Sequence, residues 1–397
     1  MRNVGTIVRG IRTPIIKEGD DLASIVVDSL LKASESEGFE FEDRDVVAVT
    51  EAVVGISEGN FATLDQIAKD IKNKLHNSEH IGLVFPILSR NRFAVLLSAM
   101  ARSTKKITLL SSYPSDEVGN DILYKEDLVK YGINPSSDLI TEEEYKEKFI
   151  HFKHMFTGVN MYEVYKDLVE KENCEFEMVF SNKPEDILNY TKDVIVCDIH
   201  TRFDTKEKIL KSDKNANVLM MSDILNESVD GSGYSPYGLL GSNRSTEERV
   251  KLFPRTGDEL VNKIQKMLKE KTGKTIEVMV YGDGAFKDPV GKIWELADPV
   301  VSPAYTKGLE GSPNEIKLKY FSENKFKDLH GEELKEAMIN EIKAKDKELK
   351  GTMATQGTTP RRYTDLLGSL CDLTSGSGDK GTPVILIQRY FTNYSNE

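Results

Sequence analysis

Apolar positions along the chain change their period several times, and each change marks an element. Residues 4–11, "VGTIVRGI", read as a strand, and "DDLASIVVDSLLKASESEG" (20–38) repeats its apolar residues at helical spacing behind an Asp cap. "DRDVVAVTEAVVG" (43–55) is a β-branched run with the signature of a buried strand. "ATLDQIAKDIKNKL" (62–75) is an amphipathic helix, "HIGLVFPIL" (80–88) a strand, and "RNRFAVLLSAMARS" (90–103) a helix packed behind it. The alternation of strand and helix predicts an α/β-type arrangement.

From about Asp121 the composition shifts. "DLITEEEYKEKFIHFKHMF" (138–156) is dense in charge and predicts surface helices, and "DVIVCDIHTRFD" (193–204) and "NVLMMSDIL" (217–225) predict short apolar strands. A Gly/Ser/Tyr/Pro stretch follows at 226–246. Loops of that length in compact domains are functional or disordered, and the interleaved Tyr234, Tyr237, Leu239 and Leu240 favour order. "GDELVNKIQKMLKEKTGK" (257–274) predicts a helix with a glycine stop, and "TIEVMVY" (275–281) a strand. Helices over 331–351 and 361–374, a glycine-rich loop over 375–383 and a last strand over 384–391 complete the reading. Neither an internal repeat nor a low-complexity tract is present.

The totals narrow the class. A chain of 397 residues suits one large elaborated domain or two domains. Its net charge of -12 argues against nonspecific binding to nucleic acid or anionic membrane, and leaves room for a local basic pocket. No segment approaches the roughly 18 apolar residues of a membrane span, and the early Gly10 and Arg12 do not suit a signal peptide. Cys174, Cys197 and Cys371 are widely spaced and odd in number, which fits a reducing cytoplasm and no cysteine-based zinc site.

Several constellations can carry chemistry. Asp283 and Asp288 bracket a turn directly after the strand at 275–281. Carboxylates on a turn suit magnesium or manganese, which combine one or two of them with water and phosphate oxygens; Asp also simply caps turns. In the loop "SGSGDKGTP" (375–383), glycines let backbone amides turn toward phosphate and Lys380 adds charge, although the loop precedes a strand and is not a Walker motif. "TPIIKEGDDL" (13–22) sets Lys17 among three carboxylates at a helix start, either a nucleotide-contacting turn or an ordinary acidic first turn. His151 and His154 read as a solvated helical pair, and Asp198 with His200 end an apolar strand without making a metal site. Trp294 reads as core packing. Neither a nucleophile elbow nor a Cys/His arrangement for nucleophilic catalysis is evident.

Taken in order, these segments resemble the gamma-glutamyl ligase family of the deazaflavin coenzyme (coenzyme F-420). "GIRTPIIKEGDDL" is similar to the family's opening, "DVVAVTEAVVGISEGN" to its strand and Glu-Gly turn, and "GLLGSNRSTEERVKLFPRTGDELVNKIQKMLKEKTGKTIEVMVYGDGAF" to its Ser-Asn, Leu-x-Pro, helix and strand-Asp series. "SGSGDKGTPVILIQRY" is similar to its closing loop and strand. The resemblance implies an α+β fold of mixed sheets with packed helices, working as an intertwined homodimer. Residues 1–76 and 238–397 would form the ligase-like core, and 77–237 an inserted α/β region.

The resemblance further implies a ligase using GTP and Mg²⁺ or Mn²⁺ to join L-glutamate to a small-molecule carboxylate acceptor such as the deazaflavin coenzyme. Pro14, Ile15, Ile16, Lys17 and Asn243 would contact the nucleotide, and Ser377, Gly378, Asp379, Lys380, Gly381 and Thr382 would close over its phosphates. Asp283, with Asp288, would hold metal. Four positions depart from the pattern. Leu240 stands where the family has a metal-binding aspartate, Ile56 where it has a nucleotide-contacting lysine, and Gly284 and Ser377 at the second-metal positions. Asp288, Asp230 or Asp223 would then compensate. Alternatives are a phosphate-ligand enzyme of another reaction type on the same fold, and a family member that binds a ligand without catalysis.

Overall fold

Caps and ladders set the limits of the first elements. β1 (Ile7–Ile11) leads into α1 (Leu22–Glu37), where the Asp21 carboxylate accepts the amide of Ser24 and Gly38 ends the helix at φ 66° by donating to Ser34 O. β2 (Val46–Thr50) is followed at once by α2 (Glu51–Ser57). The predicted strand over 43–55 is therefore cut short. Its ladders end together: Thr50 pairs with Tyr281 on one side, its amide donates to Pro383 O on the other, and neither neighbour continues the pairing.

The structure, a computed structural model, describes residues 3–90, 92–154, 157–283, 300–345, 349, 352–355, 361–375 and 378–395. The chain divides into two compact units. Met1–Ser57, Thr256–Asp283 and Val300–Glu397 make the first, and Glu58–Arg255 lie in the second.

The second unit opens with β3 (Phe61–Thr63) and α3 (Leu64–Lys74), which begins with a Thr63–Gln66 capping box. There follow β4 (His80–Val84), α4 (Phe93–Arg102), β5 (Lys106–Ser111), α5 (Lys125–Tyr131), α6 (Glu142–Lys148), α7 (Met161–Lys171) and β6 (Glu175–Phe180). The unit continues with β7 (Asp193–Val196), α8 (Arg202–Ser212), β8 (Asn217–Met220), β9 (Asn243–Arg244) and β10 (Arg249–Lys251). β4 to β8 form one parallel sheet in the order β6-β5-β4-β7-β8, while β3, β10 and β9 form a small antiparallel sheet. Alternate residues of the parallel strands enter two cores. Leu83, Leu109 and Ile195 pack with α3, α4 and α7, and Val84, Leu110 and Val196 pack with Ile187 and Ile209. Burial on both faces is why these strands read as continuous apolar runs. The chain winds outward from β4 in both directions, so β4 and β7 flank a topological switch point.

Among the described residues of 138–156 only Glu142–Lys148 is helical, and His151 lies in a turn beyond it. The expected solvated histidine pair is corrected accordingly: His151 Nε2 meets Asp127 Oδ2 at 2.8 Å, a partner from another segment that spacing along the chain does not reveal.

The chain returns to the first unit through α9 (Gly257–Thr272), β11 (Glu277–Asp283), β12 (Val300–Tyr305), α10 (Leu318–Glu323), α11 (Gly331–Ala344), α12 (Tyr363–Ser375) and β13 (Val384–Gln388). Its sheet runs β1-β13-β2-β11-β12, with β2 and β11 parallel and the other pairs antiparallel. Val47, Val49, Val278 and Val280 join Val26 and Leu30 of α1 and Val261, Ile264 and Leu268 of α9, while Ala48, Met279 and Ile385 join Leu367 and Cys371 of α12. Each fully buried aliphatic contributes about 1.5–3 kcal/mol. Three of them outweigh the few tenths that helix propensity decides in α9. The architecture is α+β, with mixed sheets and packed helices.

Candidate functional site

In the first unit, β1, β2 and β11 end where β13 begins. Ile11 pairs with Val384, Val384 with Val49, and Thr50 with Tyr281, so residues 12–14, 51, 283 and 381–383 are gathered at one end of the sheet. The amide of Thr13 donates to Gly381 O at 3.3 Å, and the Thr382 hydroxyl donates to Ser375 O at 3.3 Å. Gly381 sits at φ 67°, in the left-handed region that glycine adopts without cost.

Of these, residues 12–14 and 382, together with Lys380, β1 and one face of α1, border an open cleft of about 1050 Å³. Arg9, Arg12, Lys32 and Lys380 line it against two carboxylates, Asp28 and Glu37. A chain of net charge -12 thus concentrates positive charge at one place, as an anionic ligand requires. The Arg9 guanidinium lies 4.5 Å from the Phe39 ring centre and donates to Gln388 Oε1, which holds it along the wall. Exposed Arg12 and Lys380 are long, flexible cations suited to phosphate.

The sequence-predicted residues separate into groups. Pro14, Lys380 and Thr382 line the cleft, and Gly381 contributes its backbone bond to Thr13. Gly378 and Asp379 share a short 3-10 turn with Lys380. Ile15 is 88% exposed, whereas Ile16 is buried in the core below. The amide of Lys17 donates to Asp20 Oδ2 at 2.7 Å, tying that residue into the turn before α1. Next to it, Lys263 lowers the pKa of the Asp21 carboxyl through a 2.9 Å ion pair. Asp283 closes β11, its backbone opposite Val300. Asp288, Ser377, Gly284 and Trp294 lie outside the described residues.

Asn243 belongs to the second unit, where its Oδ1 accepts Arg92 Nε at 3.1 Å. Leu240, also there, is 1% exposed and sits in an apolar core. Asp230 and Asp223 are in the same unit, paired with Lys69 at 2.5 Å and Lys206 at 3.4 Å. Asp198 accepts the hydroxyls of Thr201 and Thr205 at 2.6 and 2.7 Å, and the amide of His200 donates to Glu117. Among the described residues no group of three or more His, Cys, Asp or Glu is placed to hold a metal, and no helix is long and apolar enough to cross a membrane.

Two features escaped the sequence reading. Arg9 and Arg12 bracket the end of β1, a pair visible in "VRGIR" only in hindsight of where the strand stops. Glu51 is 2% exposed at the end of β2, and a Cβ added at Gly282 would come 2.1 Å from its Cγ. Its signal was a lone carboxylate inside an otherwise apolar run.

Residues 10–389 match the family model described as F420-0:Gamma-glutamyl ligase. The chain belongs to this family. The match spans the cleft segments, the second unit and the closing strand. No individual curated protein matches the chain. Membership makes this family member an enzyme of the ligase kind that acts on small molecules.

Proposed function

We propose that this family member is a GTP- and divalent-metal-dependent gamma-glutamyl ligase that joins L-glutamate to a small carboxylate acceptor, of which the deazaflavin coenzyme is the family's example. The observation that carries this reading is the cationic cleft formed where the opening turn and the closing glycine-rich loop are hydrogen-bonded together. Arg12 and Lys380 attract and hold the polyphosphate, and the turn of backbone at Gly381 lets the chain approach it closely. The acceptor carboxylate takes the terminal phosphoryl group of GTP as an acyl phosphate and GDP is released; the amine of L-glutamate then attacks the acyl carbon, phosphate leaves and the nitrogen gives up a proton.

Asp283, with Asp288, would hold Mg²⁺ or Mn²⁺, which when bound neutralises charge on the transferring phosphoryl group. Buried Glu51, beside Gly282 at the same sheet end, is a further carboxylate that could join this set. Two or three carboxylates suit a metal that takes its remaining oxygens from phosphate and water. A homodimer is part of the proposal through family membership.

A second reading, ligand binding without catalysis, is favoured by Leu240, an apolar residue at the family's metal-binding aspartate. Thermal unfolding with GTP, ATP or GDP, each with and without Mn²⁺ or Mg²⁺, tests the first step, because a ligand of the native state raises its stability. A metal-dependent shift selective for guanine nucleotides supports the ligase, and mass analysis of products with L-glutamate then separates ligation from binding. Absence of any nucleotide shift rules the ligase mechanism out.

A further inference from the structure

The second unit contains a cavity of about 320 Å³ at the carboxyl edge of its parallel sheet. It lies where ligands bind in doubly wound sheets, at the switch point between β4 and β7. Its walls come from the loop after β4, the loop after β5, the residues after β7 and the segment 239–242. Phe93, Leu96, Ile199, Met221 and Leu240 make most of the surface apolar. Asn120 and Ser242 supply neutral polar groups. Arg92, the only charged residue among the described residues that line it, is held by groups of the protein, its Nε donating to Asn243 Oδ1 at 3.1 Å.

Carboxylates behind the walls hold them in place. Asp116 accepts the backbone amides of Leu88, Val118 and Asn120 and the side-chain Nδ2 of Asn120, at 2.8 to 3.0 Å, joining the two loops. Glu117 accepts the amides of Ile199 and His200 at 2.6 and 3.1 Å, joining the second loop to the end of β7. Three backbone N–H groups fix Asp116 as an acceptor, so the Asn120 carboxamide must turn its NH₂ end toward it. The Asn120 Oδ1 is left on the other side of the group, where it accepts no hydrogen bond from a described residue. The Ser242 hydroxyl donates to Leu239 O at 2.7 Å, which leaves its oxygen able to accept. Shape and polarity are thus set before any ligand arrives.

We propose that this cavity binds a small uncharged molecule with an apolar body and one hydroxyl or amide N–H group, which donates to Asn120 Oδ1. Asn120 and Ser242 both offer acceptors, so the matching ligand brings a donor. Charge is disfavoured in either sign. An anion meets the Asp116 carboxylate one hydrogen bond behind the wall, a cation meets Arg92, and each gives up its water to a mostly apolar surface. A purely apolar molecule fills the walls but strips water from Asn120 Oδ1 without replacing it. The volume stands at the low end of ligand cavities, about 300–1,000 Å³, which suits a single-ring or branched-chain molecule and excludes a dinucleotide. The proposal is independent of the nucleotide cleft, which belongs to the first unit, so either can fail without the other.

The test is methyl NMR on the full chain, following Met221 and Ile199 while benzyl alcohol is added, with toluene and sodium benzoate as controls of similar shape. Saturable shifts at both residues with the alcohol are expected, with binding about tenfold weaker for toluene, which lacks the donor, and for benzoate, which carries charge. Asn120→Leu is expected to weaken the alcohol by a similar factor while leaving toluene no weaker and the remaining methyl spectrum unchanged. No saturable shift with benzyl alcohol, equal binding of toluene or benzoate, or undiminished alcohol binding in Asn120→Leu would each overturn the proposal. If Asn120→Leu unfolds the unit, the comparison of the three probes on the unaltered chain still decides.

Discussion

The backbone of Thr13 is hydrogen-bonded to that of Gly381 at 3.3 Å, so the turn after β1 and the loop before β13 form one continuous wall. The bond extends the β1–β13 ladder beyond its last strand pair, Ile11 with Val384. Pro14, Lys380 and Thr382 share a cleft for this reason. Gly381→Ala places a side chain at φ 67°, which costs about 1 kcal/mol. It is expected to lower the urea midpoint slightly and to reduce nucleotide-induced stabilisation more than it reduces stability itself.

Arg12 and Lys380 are exposed, and replacing either by Ala should leave stability within about 0.5 kcal/mol. Each loss is expected to weaken nucleotide binding by about tenfold, with a smaller difference at high salt as screening rises. Fluorescent-nucleotide titration at two ionic strengths checks both points. Unchanged binding in both variants would remove the cleft from the nucleotide site.

Gly282 has no space for a side chain, since its Cβ would come 2.1 Å from Glu51 Cγ. Gly282→Ala is expected to destabilise by about 1–3 kcal/mol. Glu51→Ala made in the same chain should recover much of that loss, a coupling measurable by a double-mutant cycle in urea.

Placing at position 240 the aspartate that the resemblance implies is expected to harm this chain. Leu240→Asp sets a carboxylate among buried apolar side chains and should cost about 2–5 kcal/mol, whereas Leu240→Met should cost less than about 1.5. Chemical denaturation of both variants measures the difference. Added Mn²⁺ should not restore the Asp variant.

Burial raises the Glu117 carboxyl to about 7, with Asp198 and Asp116 adding to the shift against two opposing backbone hydrogen bonds. Between an ordinary 4.5 and about 7, the folded chain keeps this proton while the unfolded chain releases it. Stability contributed by this group is therefore present below that window and lost as pH rises through it, by about 3 kcal/mol at most. Glu117→Gln should flatten this part of the profile, as urea midpoints from pH 4 to 8 in unaltered and variant chains would show.

The core was legible where burial imposes a pattern. Val46 to Val49 declare a strand covered on both faces, and Val261, Ile264 and Leu268 declare the inner stripe of α9, because periodicity follows directly from which side chains must leave water. Lys380, singled out in the glycine-rich loop for its charge, does line the cationic cleft. The second unit's loop over 226–246 was rightly expected to be ordered, as Leu239 and Leu240 are each 1% exposed.

Partners from distant segments were not legible. The end of β2 at Thr50 depends on where β11 and β13 stop, and the seat of Glu51 depends on a glycine in another strand. Asp127 as the partner of His151, and Asn243 as the acceptor for Arg92, are pairings made by folding. By itself the sequence determined the chain's elements, its cores and its family, since these rest on local periodicity and on motifs kept in order. Only the tertiary structure decided which loops share the cationic cleft and which line the apolar cavity. Long-range strand pairing brings those groups together, and no local pattern encodes the distance between them.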